Sequence, residues 1–227
     1  MSACTPQQSR VSAPLFGLFC LGSYLLSLSY GSTFLLSLLI GSRGGNEHDA
    51  GTVISTAMLS TFVAVIGSGH LSDRLGAARS VAVFGCLLAV ASLGFALTPG
   101  VGPGLLFFGL TLGLGWGVFY TLGPIIVAML VEPAQRARYF ALLSGSMMTG
   151  IGSGPLLGRL ASALGYPLTS AFLIAAGASL LGVLIFWRLG GRLRQQANHL
   201  GTAAASITWA GTAQVLSSRA VWPILMV

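Results

Sequence analysis

The sequence predicts an all-α membrane protein with six transmembrane helices. Three observations carry that expectation. Hydrophobic residues make up 54% of the 227 residues and charged residues only 7%, whereas a soluble domain carries about a quarter charged residues. The mean hydropathy is +0.86. The apolar residues also fall in six long runs, each close to the roughly 20 residues a helix needs to cross a bilayer. The net charge of +7 comes from eleven Arg against four acids. In a soluble chain it would suggest nucleic acid; here the clustering of Arg between apolar runs points to membrane topology and to no nucleic-acid partner. Three cysteines, two of them inside apolar runs, give no disulfide framework.

The six runs are residues 13–40, 52–71, 80–97, 104–131, 139–164 and 168–187, called spans one to six below. Span one, from Ala13 to Ile40, is too long for the roughly 7–15-residue core of a secretory leader and ends in no small-residue cleavage site. The breaks differ in chemistry: "GSRGGNEHDAG" is polar, "TPGVGPG" uncharged and "GYP" minimal, while "SDRLGAAR" and "EPAQRAR" are basic. Basic segments stay on the cytoplasmic side. Arg10, the Arg74/Arg79 and Arg136/Arg138 pairs, and Arg188, Arg192 and Arg194 all fall on one side, opposite Arg43 and Arg159. This predicts cytoplasmic termini and placement in a bacterial inner (plasma) membrane. Residues 1–12 read as a cytoplasmic segment, 13–188 as the six-helix bundle and 189–218 as a polar cytoplasmic linker. The final "RAVWPILMV" (219–227) reads as the start of a truncated seventh helix, which suggests half of a twelve-helix protein.

"GHLSDRLG" (69–76) and "GRLASALG" (158–165) share Gly-x-Leu-x-x-x-Leu-Gly at an offset of 89 residues. The same offset carries span one onto four, two onto five and three onto six. Three helices cross an odd number of times, so the second copy is inverted. A 3+3 inverted repeat of this kind is a recurrent plan of secondary transporters.

Gly69, Asp73, Arg74 and Gly76 form the pattern Gly-x-Leu-x-Asp-Arg-x-Gly between spans two and three. The two glycines suit a tight turn, and Asp73 is expected just ahead of span three, where a helix N-terminus favours an anion. Arg74, Arg79 and Glu132 are its expected ionic partners. The segment resembles the signature of the major facilitator superfamily, departing from it at Ala77 and Ala78, where the family continues with basic residues. The resemblance implies a gating role, in which the Asp73 carboxylate latches one half of a transporter against the other during alternating access. In span five, Gly150, Gly154, Pro155 and Gly158 resemble that family's Gly-x-x-x-Gly-Pro-x-x-Gly-Gly pattern, which is associated with exporters; Arg159 replaces the last glycine. Glycines every four residues offer a smooth groove to a neighbouring helix, and Pro155 is expected to bend the span. The Arg that family often carries in helix four, linked to proton coupling, is replaced by Gly109.

The resemblance also implies that spans one and four face the solute pathway. Ser23, Ser27, Tyr30 and Ser37 share one face of span one, and Gly109, Gly113, Trp116 and Tyr120 one face of span four. Polar groups are costly in hydrocarbon, so these faces are expected to point into protein or a wet cavity; interhelical hydrogen bonds explain the serines equally well. The expected function is secondary active transport of a small solute, in the direction of efflux. It uses no cofactor or metal, with the lipid bilayer and either a missing C-terminal half or a second copy as partners. A non-transporting scaffold and a half-size transporter acting as a dimer are the alternatives. An intramembrane serine protease would need a base near its serine, and Ser68 and His70 point to opposite sides of a helix.

Overall fold

A computed structural model describes residues 13–199; the expectations for residues 1–12, the linker beyond 199 and the seventh helix lie outside them. The described residues form helices and connecting turns with no strand, and six of the helices are long and apolar enough to cross a membrane.

Span one is Ala13–Gly31, a 3₁₀ turn Ser32–Leu35 and a short helix Leu36–Ser42. Span two is Glu47–Leu75, span three Ala77–Leu97 and span four Pro103–Leu130. A 3₁₀ turn Pro133–Gln135 leads into span five, Arg136–Ala163, and span six is Thr169–His199.

Several boundaries move outward from the apolar runs, because polar residues continue the helices beyond the hydrocarbon. Span two starts at Glu47 rather than 52. Asn46 Oδ1 accepts from the Asp49 amide at 3.0 Å and Asp49 Oδ2 from the Asn46 amide at 2.9 Å; this reciprocal cap satisfies donors the first turn would leave open. The linker expected from residue 189 begins as helix, since span six runs on to His199.

The packing order is two, four, three, six, one, five: span four packs on two and three, three on six, and one on six and five. Hydrophobic burial drives little association between helices in lipid, so small residues and hydrogen bonds set the approach. Span four lays Gly109, Gly113 and Gly117 against Val53, Ala57 and Thr61 of span two. Span five lays Gly150, Gly154 and Gly158 against Tyr24, Gly31 and Leu35 of span one. Hydroxyls stitch the same seams, Thr61 donating to the Gly113 carbonyl at 3.2 Å and Ser146 to the Cys20 carbonyl at 2.6 Å, while Ser29 meets Ser92 at 2.8 Å between spans one and three. Aromatics contribute to the core, with Phe186 in edge-on contact with both Phe19 and Phe119.

Spans two and five end the packing order and are the least buried, at 28% and 22% of their apolar windows against 50–61% for the other four. Met58, Leu59, Phe62 and Ile66 of span two and Leu142, Met148, Leu156 and Leu160 of span five are exposed.

Candidate solute pathway and gating turn

The segment expected to gate is a helix end rather than a loop. Gly69 to Leu75 complete the last two turns of span two, Gly76 alone reverses the chain, and Ala77 opens span three. Gly76 adopts φ +83°, a conformation glycine takes without a Cβ penalty. Ser80 closes the corner, its hydroxyl lying 3.0 Å from the Gly76 carbonyl and 3.2 Å from that of Leu71. This corrects the expected setting of Asp73: it belongs to the C-terminal turn of span two, where a helix end carries partial negative charge, and it does not cap span three. Asp73, Arg74, Arg79 and Glu132 are all exposed. Among the described residues they form no ion pair with one another. Arg79, past the corner, lays its side-chain stem beside Gly190 of span six.

At the opposite end, Arg43 follows the short helix that ends span one. Its guanidinium donates to the Phe95 carbonyl at 2.7 Å and the Ala96 carbonyl at 3.3 Å, capping the last turn of span three. Cations suit a helix C-terminus. The other terminal nitrogen of Arg43 is buried with no partner among the described residues, and desolvation lowers the pKa of the group. This clamp had a sequence signal only in a cation placed just past an apolar run.

The residues expected to line a cavity separate into two sets. Ser23 and Ser27 are fully buried. The Ser23 hydroxyl donates to the Phe19 carbonyl one turn back at 2.8 Å. The Ser27 hydroxyl has no partner among the described residues, and Gly150 packs against its Cβ. Gly109 and Gly113 are likewise spent on span two. These four face helix seams, because a hydroxyl or a missing side chain lets backbones approach. Ser37 is exposed.

Tyr30, Trp116 and Tyr120 form the second set. The Tyr30 ring stacks on Trp116 with centroids 4.1 Å apart and planes 11° from parallel, and Trp116 continues to Tyr120 at 5.9 Å. Trp116 is buried, Tyr30 partly so, and Tyr120 is 52% exposed. The stack bridges spans one and four, whose backbones touch little. No Asp, Glu, Lys or Arg lies in spans one or four, or between residues 50 and 72 of span two. The wall can therefore offer a solute π faces and phenol hydroxyls, and no charge.

The Gly154–Gly31 contact fixes the height of this stack. Span five runs as unbroken helix through Pro155, and the irregularity falls across the seam in span one, where α-helix gives way to the 3₁₀ turn after Gly31. Mid-helix 3₁₀ stretches recur at hinges.

The sequence model of the Major Facilitator Superfamily matches residues 15–227. The chain belongs to this superfamily. It is 30% identical over 159 residues to the peptide transporter YePEPT of Yersinia enterocolitica, covering 63% of this chain and 31% of that protein. The anhydromuropeptide permease of Escherichia coli K12 is 27% identical over 174 residues, 73% of this chain and 35% of the permease. A 96-residue stretch is 40% identical to the multidrug resistance protein MdtH of Citrobacter koseri, covering 41% of this chain and 23% of that one. The chain spans about a third of the length of the first two relatives. Among solved structures, the peptide transporter POT in complex with sulfate superposes with a TM-score of 0.67 at 23% identity, over 93% of this chain and 44% of that one; this is a likeness of fold. The relatives are transporters and permeases, not enzymes. The protease alternative fails on geometry as well: the Ser68 hydroxyl is committed to the Val65 carbonyl at 2.7 Å.

Proposed function

We propose that the chain is one six-helix body of a secondary active transporter, moving a small solute by alternating access between two such bodies in a bacterial inner membrane. The observation that carries this reading is the uncharged aromatic wall, Tyr30–Trp116–Tyr120, held between spans one and four of a superfamily bundle. The exposed apolar faces of spans two and five support a second body alongside, either the rest of a longer chain or a second copy. The Gly-Pro pattern of span five and the likeness to a multidrug resistance protein support efflux.

The 3+3 inverted repeat, with both termini cytoplasmic, is part of the proposal. Its support is at the level of contacts. Thr61 meets Gly113 across the seam of spans two and four; the residues 89 positions away, Gly150 and Tyr24, meet across the seam of spans five and one. Thr61–Gly117 and Gly150–Leu28 are related in the same way.

Asp73, at the exposed corner of spans two and three, latches the two bodies in one state and releases them in the other. In proteoliposomes, Asp73→Asn is expected to lower solute flux at least tenfold while membrane insertion and monodispersity stay at wild-type levels. Equal loss of insertion and flux would reduce Asp73 to a structural residue.

A further inference from the structure

A groove at one end of the bundle has an uneven chemistry. It has a volume of about 720 Å³ and opens between the outer part of span one, the end of span five and the turn into span six. Phe34, Leu38 and Leu168 line its apolar body. At its rim stand Arg159, Ser162 and Tyr166, whose side chains make no hydrogen bond or ion pair among the described residues. Arg159 occupies the place where the family pattern resembled by this segment has a glycine, so the cation belongs to this chain rather than to the shared packing motif. Gly158, beside it, keeps the floor low: a Cβ there would meet the Leu35 side chain at 2.7 Å.

We infer that this groove is a binding site for an amphipathic organic anion, a carboxylate on an apolar or aromatic body, with Arg159 holding the charge and the groove the body. Guanidinium is the natural partner of a carboxylate, offering paired donors in a fixed fork, and the Tyr166 and Ser162 hydroxyls add donors at the same rim. A site of this kind, apolar with a few convergent polar groups, is the ordinary form of a small-molecule pocket.

The inference rests on the transport reading: span one supplies Phe34 and Leu38 to the groove and Tyr30 to the aromatic wall, and that shared helix is what favours a solute over a lipid. Pro155, on the groove, follows Gly154, which abuts Gly31; Gly31 follows Tyr30, which stacks on Trp116. The groove is thus joined to the wall through the packed seam of spans one and five, and it lies at the end of the bundle away from Asp73. With no charge on the wall between, Arg159 is the group that selects the sign of the solute.

The test uses the full chain in phosphatidylcholine nanodiscs, with dansyl-labelled undecanoate as probe and its methyl ester as neutral control. The carboxylate should bind more tightly than the ester. Arg159→Gln should weaken carboxylate binding roughly tenfold or more and leave the ester unchanged, Arg159→Lys should restore part of the loss, and Phe34→Ala should weaken both ligands. Equal binding of carboxylate and ester, or no effect of Arg159→Gln, overturns the inference. Displacement of the probe from wild type by phosphatidylglycerol in the disc, absent in Arg159→Gln, would assign the site to a lipid phosphate and also overturn it. Arg159-dependent binding without flux in proteoliposomes would leave the site standing and remove the transport reading; flux insensitive to Arg159 would do the reverse.

Discussion

Gly154→Ala probes one of the tightest seams in the bundle. An ideal Cβ at residue 154 would land on the carbonyl carbon, carbonyl oxygen and Cα of Gly31. All three are backbone atoms, so no rotamer change relieves the overlap and spans one and five must move apart. Overpacking costs roughly 1–3 kcal/mol, and a backbone clash that also strains the nearby Ser146–Cys20 hydrogen bond belongs near the middle or above, at about 2 kcal/mol. For a chain of this size that lowers the melting temperature by about 4–8 °C. The assay is thermal unfolding of detergent-purified protein, followed by loss of the monodisperse peak. Gly152→Ala is the control: it lies on the same helix with nothing within 4 Å of its Cβ, and the better helix propensity of Ala makes it neutral or slightly stabilising. Gly22→Ala should fall between, because its Cβ would meet ring atoms of Phe186 at 3.0 Å, which can shift. If Gly154→Ala melts with Gly152→Ala, the seam is looser than described and the argument for a fixed height of the Tyr30–Trp116 stack fails.

Two further outcomes are expected. Arg43→Gln removes donors from the Phe95 and Ala96 carbonyls and should cost about 1–3 kcal/mol in the same melting assay; an unchanged melt would mean water caps span three equally well. In a chain with Cys4, Cys20 and Cys86 changed to Ala, a cysteine at Tyr120 should react with an aqueous thiol reagent and one at Ser23 should stay inert, the reverse result moving the pathway from the aromatic wall to the serine face.

Spacing alone separated these two faces poorly. Ser23, Ser27 and Tyr30 share a helical face by count, and the hydrocarbon penalty for a polar group applies to all three. What divides them is on the other helix: Gly150 seals Ser27, while Trp116 reaches Tyr30 with a ring. Hydrophobicity located the six spans because lipid imposes length directly. It misjudged their ends, since the Asn46–Asp49 cap and the extension of span six to His199 are local hydrogen-bond matters outside hydrocarbon. The same limit moved Asp73 from a loop into a helix. The motif marked the place of the turn, but only the positive φ of Gly76 shows that one residue makes it. The groove at Arg159 was legible only as a departure from a pattern, because its wall is completed by Tyr166 and Leu168 of the turn into span six, opposite Phe34 and Leu38 of span one.

The proposed repeat explains why the sequence match between the two halves is so short. In lipid a helix seam needs closely approaching backbones, and either partner can supply the small residue. Spans two and four put the glycines on span four, at 109, 113 and 117. Spans one and five, the equivalent pair under the 89-residue offset, put them at 150, 154 and 158 of span five, whose counterpart is span two. Thr61 and Gly150 then occupy matching positions and make matching contacts with different chemistry: one donates a hydroxyl to Gly113, the other clears space for Tyr24. Under the proposed repeat the contact is kept and the residue is not, so the repeat is a matter of geometry more than of sequence. It follows that Thr61→Gly should be tolerated with a loss of about 1 kcal/mol from the hydrogen bond and a further ~0.3 kcal/mol from helix propensity, whereas Gly150→Thr should prevent spans one and five from closing. Both are read as melting temperature of the purified chain. Similar losses for the two substitutions would show that the seams are not alternative solutions of one packing problem.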